Sequence, residues 1–413
     1  MKTLFISNDP TIFEPKSAAR ARMRTYAAAI GELHILSRAE RAQESQEDGL
    51  YLHGMRPLPT QLGRVLFLRT LTAHAHELIG KYGIEVVSAQ DPFEHGVVAA
   101  GAIRSTTAKL HIQVHTDFCS PFFAKESRKN AMRMRLADSV LPKAAGIRVV
   151  SERVKKGMLK RYGNRIPEPS VIPLSMEITS APPAPPKAAL GAADQLHAQP
   201  QALAAQTQTE PPQAPLAPAA HTPAPLPKLP FTFILAAVGR LEKEKRFEDA
   251  IATVAKLRKE RYPAGLLVVG AGRERARLAA RARHLGITPY IVFLGERSNI
   301  PAILTQANAF IQTSAYEGYG RTYFEAARAG VPMVVTDAGI VGEVFRNEES
   351  ALVCPVGDVE CLTREVSRLI EDMALRRQIS EHAAAAAAAH EATLRNIPER
   401  IAEDLRRLAP PYA

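Results

Sequence analysis

Two carboxylates lie eight positions apart in the segment Glu317-Gly318-Tyr319-Gly320-Arg321-Thr322-Tyr323-Phe324-Glu325. An apolar run precedes this segment, and an alanine-rich stretch closed by Gly330 and Pro332 follows it, so it is predicted to join a buried strand to a helix. Ligands of open α/β sheets bind at the carboxyl ends of strands. Glycines let a ligand approach the backbone, and the N–H groups of a helix start attract an anion. Because carboxylates accept hydrogen bonds from hydroxyl groups, the segment predicts a site for a phosphate flanked by sugar hydroxyls.

A second motif, Gly239-Arg240-Leu241 followed by Lys245, comes after the apolar run 233–238. Arginine binds phosphate through a planar fork, and lysine acts as a point charge, so the two cations together suit a diphosphate. A basic turn by itself is typical of a solvated loop. Since both motifs follow strands of one predicted sheet, we expect them to face a single ligand.

Strand-like and helix-like segments alternate along most of the chain, which predicts an α/β fold with parallel sheets. We expect an N-terminal Rossmann-like domain over residues 1–176 and a second doubly wound domain over 231–390, followed by a helical tail at 391–413. The helices expected in the first domain include 17–30, 61–82 and 122–141. Residues 181–230 contain 13 prolines, so 177–230 is predicted to be a disordered linker.

The net charge of +11 is concentrated in the first half of the chain. Residues 1–176 hold 26 Lys+Arg and 16 Asp+Glu, whereas the remainder holds 27 and 26. A basic domain of this kind either presents a solvated face or meets anionic lipid headgroups or a phosphorylated acceptor. Phe122 and Phe123, beside several cations, favour an anionic membrane surface as a partner. No nucleic-acid recognition motif is present, so nucleic acid is not expected as a partner.

No uninterrupted apolar run approaches the ~18 residues typical of a membrane span, and the N-terminus does not resemble a signal peptide. Cys119, Cys354 and Cys361 have no metal-ligand spacing and are expected to be unpaired, buried or half-buried residues. These features predict a cytoplasmic protein, peripheral on the inner face of the cell membrane.

Four segments resemble, in order and spacing, the donor half of the GT4-type retaining glycosyltransferases. They are Gly239-Arg240-Leu241 with Lys245, Gly270-Ala271-Gly272, Phe293-Leu294-Gly295, and Glu317-Gly318-Tyr319-Gly320 with Glu325. The resemblance implies the GT-B fold, in which two Rossmann-like domains face each other across a cleft. It also implies that the second domain binds a nucleotide-diphosphate sugar and the first binds the acceptor. No cofactor and no metal are expected, since Arg240 and Lys245 take the place of a cation.

The resemblance also implies a role for each residue of the two motifs. Glu317 would contact the donor sugar, Glu325 the ribose hydroxyls, and Arg240 and Lys245 the departing diphosphate. His115, at the end of a predicted strand, would contact the sugar, although Asp117 could instead satisfy its ring. The remaining expected donor-binding residues are Gly239, Gly318, Tyr319, Gly320, Arg321 and Thr322.

The acceptor side is predicted from polar residues that follow strands of the first domain: Asp91, Asp117, Ser151 and Glu152. Ser151 and Glu152 could equally cap a helix. One departure from the family pattern concerns Arg246, which stands where the family usually has glycine.

The favoured function is transfer of a sugar, with retention of configuration, to a glycan or lipid-linked acceptor in cell-surface polysaccharide or glycolipid synthesis. Two alternatives stay open: a nucleotide-sugar epimerase of the same fold, and a nucleotide-sugar-binding protein without catalysis.

Overall fold

The computed structural model describes residues 1–57, 61–174 and 229–409, and gives only the backbone of residues 61–65. Of the predicted linker at 177–230, only residues 229 and 230 therefore lie within the described residues. Two sheets organise the described parts, and each is flanked by helices.

The N-terminal sheet has eight strands in the order β3-β4-β2-β1-β5-β6-β7-β8, with parallel neighbours everywhere except at the β3–β4 hairpin. Its strands are β1 (Lys2–Ile6), β2 (Glu32–Arg38), β3 (Gln43–Glu47), β4 (Leu50–Met55), β5 (Val86–Ala89), β6 (Lys109–Val114), β7 (Gly146–Val149) and β8 (Ser170–Val171). Its helices are α1 (Ala18–Ile30), α2 (Gln61–Tyr82), α3 (Glu94–Ala102), α4 (Phe123–Glu126), α5 (Arg128–Val140) and α6 (Glu152–Tyr162).

Local capping chemistry explains where these helices begin and end. The Ser17 hydroxyl accepts a hydrogen bond from Arg20 N, and Gly31 closes α1 at a φ of 111°, as the sequence predicts. The single helix predicted over 122–141 is wrong, because Ser127 is extended and separates α4 from α5. The Ser127 hydroxyl accepts from Asn130 N at 3.1 Å, so the break is itself an N-cap.

The C-terminal sheet is entirely parallel, in the order β11-β10-β9-β12-β13-β14. Its strands are β9 (Phe233–Val238), β10 (Ala264–Val269), β11 (Ile291–Gly295), β12 (Ala309–Gln312), β13 (Met333–Thr336) and β14 (Leu352–Cys354). Its helices are α7 (Phe247–Lys259), α8 (Arg275–His284), α9 (Ile300–Leu304), α10 (Arg321–Arg328), α11 (Val359–Glu371) and α12 (Met373–Ala392), and a final helix, α13 (Ile397–Arg406), follows them in the chain. The neighbouring strands β9 and β12 lie at its centre, so their carboxyl ends place both sequence motifs side by side.

The last helix returns to the N-terminal sheet. Ile401 and Leu405 of α13 are buried against α1 in the same apolar cluster as Tyr26. Asp404 accepts a hydrogen bond from the Ser170 hydroxyl at 2.6 Å and lies 3.1 Å from the His111 ring. The end of the described chain thus contributes to the core of the first domain.

The expectation of unpaired cysteines is wrong for two of the three. Cys354, at the end of β14, forms a disulfide with Cys361, in the first turn of α11, and their Cα atoms lie 5.7 Å apart. Cys119 is unpaired and half-buried. Cysteine usage therefore gives no support to a reducing compartment. Within the described ranges, none of the helices is sufficiently long and apolar to cross a bilayer.

Candidate active site

The corner between β12 and α10 carries the two carboxylates of the first motif. Gly320 begins α10 at a φ of 92°, and an added Cβ would lie 2.2 Å from the Tyr323 ring, so this position requires glycine. Within the described parts of the chain, the backbone N–H groups of Gly320, Arg321 and Thr322 have no acceptor. These donors give the corner the electrostatics of an anion site.

The Glu317 carboxylate is fixed by three donors that converge on one of its oxygens. Lys245 Nζ, Gln312 Nε2 at 2.7 Å and Ser314 Oγ at 2.8 Å all contact Oε1. Thr322 holds Gln312 in turn, because its hydroxyl donates to Gln312 Oε1 at 2.5 Å. The side chain of Glu317 is only 12% exposed, so this network sets its orientation.

Lys245 reaches Glu317 from the turn that follows β9. The Thr313 hydroxyl donates to the carbonyl oxygens of Lys245 and Arg246, each at 2.9 Å, and so ties that turn to the end of β12. The two motifs therefore meet, as predicted. Arg240 does not join them: its side chain is 78% exposed and pairs with Glu244 at 3.3 Å. Gly239 adopts a φ of 156°, a backbone conformation that residues with a side chain rarely adopt, and lies beside the stem of Lys245.

Glu325 lies one helical turn into α10 and is half-buried. Burial raises the pKa of its carboxyl, against the opposing charges of Arg321 and Arg328. No side-chain donor among the described residues contacts it, so both of its oxygens can accept from a ligand. The Tyr319 ring, by contrast, points into the core, where its hydroxyl lies 2.7 Å from His390 Nε2, and only its backbone belongs to the corner.

The N-terminal domain meets this corner at His115. An added Cβ on Gly318 would lie 1.8 Å from the His115 carbonyl oxygen, so the two backbones are in direct contact. The His115 ring is partly exposed, but its Nε2 is buried and has no partner among the described residues. The alternative in which Asp117 satisfies this nitrogen is therefore wrong. Burial, with the charge of Arg148, lowers the pKa of His115 to about 3, so the ring is neutral.

The four residues predicted for the acceptor side have different surroundings. Asp117 is buried, and burial raises the pKa of its carboxyl to about 6, opposed by Arg153. Asp91 caps its own turn: it accepts from Phe93 N at 2.7 Å and contacts the His95 ring, and these interactions lower the pKa of its carboxyl although burial acts to raise it.

Ser151 and Glu152 begin α6 at the contact between the domains. The Ser151 hydroxyl accepts from Val154 N and donates to the Gly318 carbonyl at 2.9 Å, so it both caps the helix and bridges the domains. The side chain of Glu152 is exposed to solvent, and its role in acceptor binding stays a prediction.

Arg153 and Glu343 form an interdomain contact that the sequence did not predict. The Glu343 carboxylate accepts from Glu152 N at 3.0 Å and from Arg153 N at 2.5 Å at the start of α6. The Arg153 guanidinium donates to the carbonyl oxygens of Gly339, at 2.8 Å, and Val341, at 2.7 Å. Gln312 and Ser314 were also missed as site residues, although a glutamine at the end of an apolar run was a usable signal.

Two known protein families match this chain, one in each of its two domains. The family described as "Glycosyl transferases group 1" matches residues 226–386, and "Glycosyltransferase Family 4" matches residues 22–176. The chain belongs to the GT4-type family of GT-B glycosyltransferases.

Individual relatives of this GT4-type chain match it over part of its length. N-acetyl-alpha-D-glucosaminyl L-malate synthase of Bacillus anthracis is 30% identical over 150 residues, which cover 36% of this chain and 39% of the relative. The lipopolysaccharide core biosynthesis glycosyltransferase LpsD of Rhizobium meliloti is 32% identical over 148 residues, which cover 36% of this chain and 42% of that relative. The matched segments thus span about two fifths of these relatives.

Solved structures resemble the GT4-type chain over almost its full length. Sucrose-phosphate synthase from Thermosynechococcus elongatus gives a TM-score of 0.71 at 18% identity and covers 98% of both chains. Alr3699/HepE from Anabaena, in complex with UDP and glucose, gives a TM-score of 0.65 at 19% identity and covers 98% of this chain and 99% of that one. At these identities the similarity confirms the predicted GT-B fold alone.

The departure at Arg246 has a structural explanation within this GT4-type chain. Arg246 adopts a left-handed conformation, with φ 49° and ψ 40°, which glycine adopts without strain. Its guanidinium binds Asp249 through Nε at 2.6 Å and Nη2 at 3.1 Å. The buried Asp249 carboxylate, 8% exposed, thereby gains a bidentate partner that glycine could not supply.

Proposed function

We propose that this chain is a retaining glycosyltransferase that moves a sugar from a nucleotide-diphosphate sugar to a glycan or lipid-linked acceptor. The observation that carries the proposal is the fixed Glu317 carboxylate, held by Lys245 at a corner that contacts His115 of the opposite domain. A sugar at this position would meet a carboxylate and a neutral imidazole, while its phosphate would meet a lysine and a helix start.

The reaction makes specific electrostatic demands on the site. Breaking the sugar–phosphate bond develops negative charge on the diphosphate and positive charge on the sugar. Lys245 and the free N–H groups at the start of α10 stabilise the first, and Glu317 stabilises the second. Arg240, exposed and only 3.3 Å from Glu244, reorients to the diphosphate when the donor binds. Glu325 accepts hydrogen bonds from the ribose hydroxyls.

A screen of donors, followed by one isosteric variant, tests the activity. Release of the nucleotide diphosphate is measured with UDP-, GDP- and ADP-sugars, with and without acceptor. Glu317→Gln keeps an oxygen for the three donors and removes the charge, so we expect turnover to fall roughly 100- to 1,000-fold with an unchanged fold. Glu381→Gln, an exposed carboxylate on α12, is the matched control.

Two results of that experiment would decide against the proposal. Wild-type turnover in Glu317→Gln would show that the reaction does not need the charge of Glu317. Formation of an intact nucleotide sugar with an inverted sugar carbon, in the absence of any acceptor, would assign the chain to the epimerases. Retention is tested separately, because the anomeric configuration of the product can be read by proton NMR.

The acceptor side of the proposal rests on the charge of the first domain. A cavity of about 280 Å³ opens at the carboxyl ends of β1, β2 and β4, and the charged side chains in its lining are Arg38, Arg56 and Glu40. Two arginines at a sheet edge suit an acceptor that carries phosphate, such as a lipid-linked glycan.

Helix α5 and the turn before it supply a surface for the membrane that would hold such an acceptor. Phe123 is buried against Phe93, so its predicted membrane role is wrong, but Phe122 and Met132 are 37% and 58% exposed. The exposed cations around them are Lys125, Arg128, Lys129 and Arg135. We propose that this surface docks on an anionic leaflet at the cytoplasmic face of a membrane.

Sedimentation with vesicles tests the docking. Arg128→Glu/Lys129→Glu is expected to weaken binding to vesicles containing phosphatidylglycerol by about 30-fold or more, because each lost cation costs about 1 kcal/mol and the new charges add repulsion. Arg346→Glu, an exposed charge reversal on the second domain, is the control. Equal binding by wild type and both variants would exclude this surface.

A further inference from the structure

Three side chains converge on the edge of the N-terminal sheet, far along the chain from either motif. Glu44 in β3 and His53 in β4 are direct cross-strand partners, and His74 approaches them from α2. One potential ligand atom from each lies within 4.8 Å of the other two. The sequence did not predict this cluster, because its members come from three separate elements.

The hydrogen bonds around His53 leave one contact without a proton. Glu32 Oε1 lies 3.0 Å from His34 Nε2, His34 Nδ1 lies 3.0 Å from His53 Nε2, and His53 Nδ1 lies 2.6 Å from Glu44 Oε2. Three such contacts between two imidazoles and two carboxylates need three hydrogens, whereas two neutral imidazoles carry two.

The two imidazole rings in this series of contacts are packed together. His34 and His53 are almost wholly buried and stack in parallel with their ring centroids 5.3 Å apart. When His34 donates to Glu32 and His53 donates to His34, the lone pair of His53 Nδ1 faces the Glu44 carboxylate. A cation between these two atoms removes that conflict.

We propose that Glu44, His53 and His74 bind one divalent transition-metal ion of the zinc class. Imidazole nitrogen and carboxylate oxygen are ligands that zinc accepts at about 2.0–2.2 Å. Glu44 is 65% exposed and His74 is 27% exposed, so both side chains can close on the ion while His53 stays fixed. The ion would join the β3–β4 hairpin at the sheet edge to helix α2.

The surroundings also orient the ligands. His74 Nδ1 lies 3.2 Å from Glu77 Oε2, so a hydrogen bond there presents Nε2 to the ion. His34 orients His53 in a similar way. It accepts a hydrogen bond from His53 Nε2, which leaves His53 Nδ1 free to bind the ion. Carboxylate and imidazole partners of this kind raise ligand basicity and fix the tautomer.

Cobalt titration of the full-length chain, dialysed first against a chelator, tests the site. We expect one Co²⁺ per chain with visible d–d absorption, displaced by Zn²⁺. His74→Ala should weaken binding at least about 100-fold, because it removes a ligand, and Glu77→Gln should weaken it about 10-fold. Alanine suits a helix, so His74→Ala is expected to fold.

A matched control and a second readout complete the experiment. His284→Ala removes an exposed histidine from α8 and should bind cobalt like the wild type. Zn²⁺ should raise the Tm of the wild type and of His284→Ala, but not that of His74→Ala. The proposal is overturned if no cobalt binds at stoichiometric concentration, or if His74→Ala and Glu44→Gln both bind as the wild type does.

Discussion

The contact between Gly318 and His115 allows one added carbon atom to separate the two domains. In Gly318→Ala, the new Cβ would lie 1.8 Å from the His115 carbonyl oxygen and 2.6 Å from its carbonyl carbon. Since non-bonded carbon and oxygen approach to about 3.3 Å, the two backbones must separate by about 1.5 Å. Both partners are main-chain atoms, so no change of rotamer relieves the clash.

A separation of this size moves Glu317 relative to every group of the first domain. Displacement by about 1 Å can cost roughly 100-fold in rate, so we expect kcat/KM for sugar transfer to fall by about that factor. The fold of each domain should persist, because the clash lies between them. Amide exchange at Glu152 and Arg153 should accelerate, since their N–H groups donate across the same interface to Glu343.

The control is Gly80→Ala on α2, where an added Cβ meets nothing within 4 Å. Activity is followed by nucleotide release with the donor found in the screen, and exchange by mass spectrometry. If Gly318→Ala retains the turnover and the exchange rates of Gly80→Ala, the domains do not depend on this contact and the reasoning fails.

Two further variants probe the charges of the site. Asp117→Asn is expected to raise the free energy of unfolding by about 3 kcal/mol at pH 8, because burial raises the pKa of this carboxyl to about 6 and its ionised form destabilises the fold above that pH. The gain must vanish below about pH 3, where the carboxyl is protonated in both states because its pKa in the unfolded chain is about 3.9, and equal urea midpoint shifts at pH 3 and pH 8 would contradict it. Arg246→Gly should lower the free energy of unfolding by about 2 kcal/mol. Glycine adopts the left-handed backbone without strain, which stabilises the fold by about 1 kcal/mol, but the buried Asp249 carboxylate loses its ion-pair partner, which costs about 3 kcal/mol. Calorimetry of Arg246→Gly/Asp249→Asn should show most of the loss restored.

Features encoded by local chemistry were predictable from the sequence. The Ser17 cap and Gly31 stop bounded α1, and the period of apolar residues separated strands from helices. The corner at Glu317 was predictable for the same reason: glycines, a preceding buried strand and a helix start are adjacent in the chain. The neighbouring position of Lys245 followed from the rule that parallel strands present their carboxyl ends at one edge.

Features that depend on contacts between distant segments were not predictable. The Cys354–Cys361 disulfide requires the end of β14 to meet the first turn of α11, and spacing alone does not fix that approach. The return of α13 to the first sheet depends on packing of Ile401 and Leu405 that no periodic pattern assigns to a partner. The role of Glu343 was likewise hidden, because its partners are backbone N–H groups of another domain.

The contacts between the domains lie at one end of the corner between β12 and α10. Ser151 and His115 touch Gly318, next to Glu317, whereas Arg153 binds the loop that carries Gly339. An added Cβ on Gly339 would lie 2.9 Å from Glu317 Cβ, so that loop packs directly on the carboxylate side chain. The first domain therefore contacts the Glu317 end of this corner from two directions. Under the proposed function, changes at these contacts should lower kcat more than donor affinity, because they displace Glu317 and leave Glu325 and the start of α10 in place.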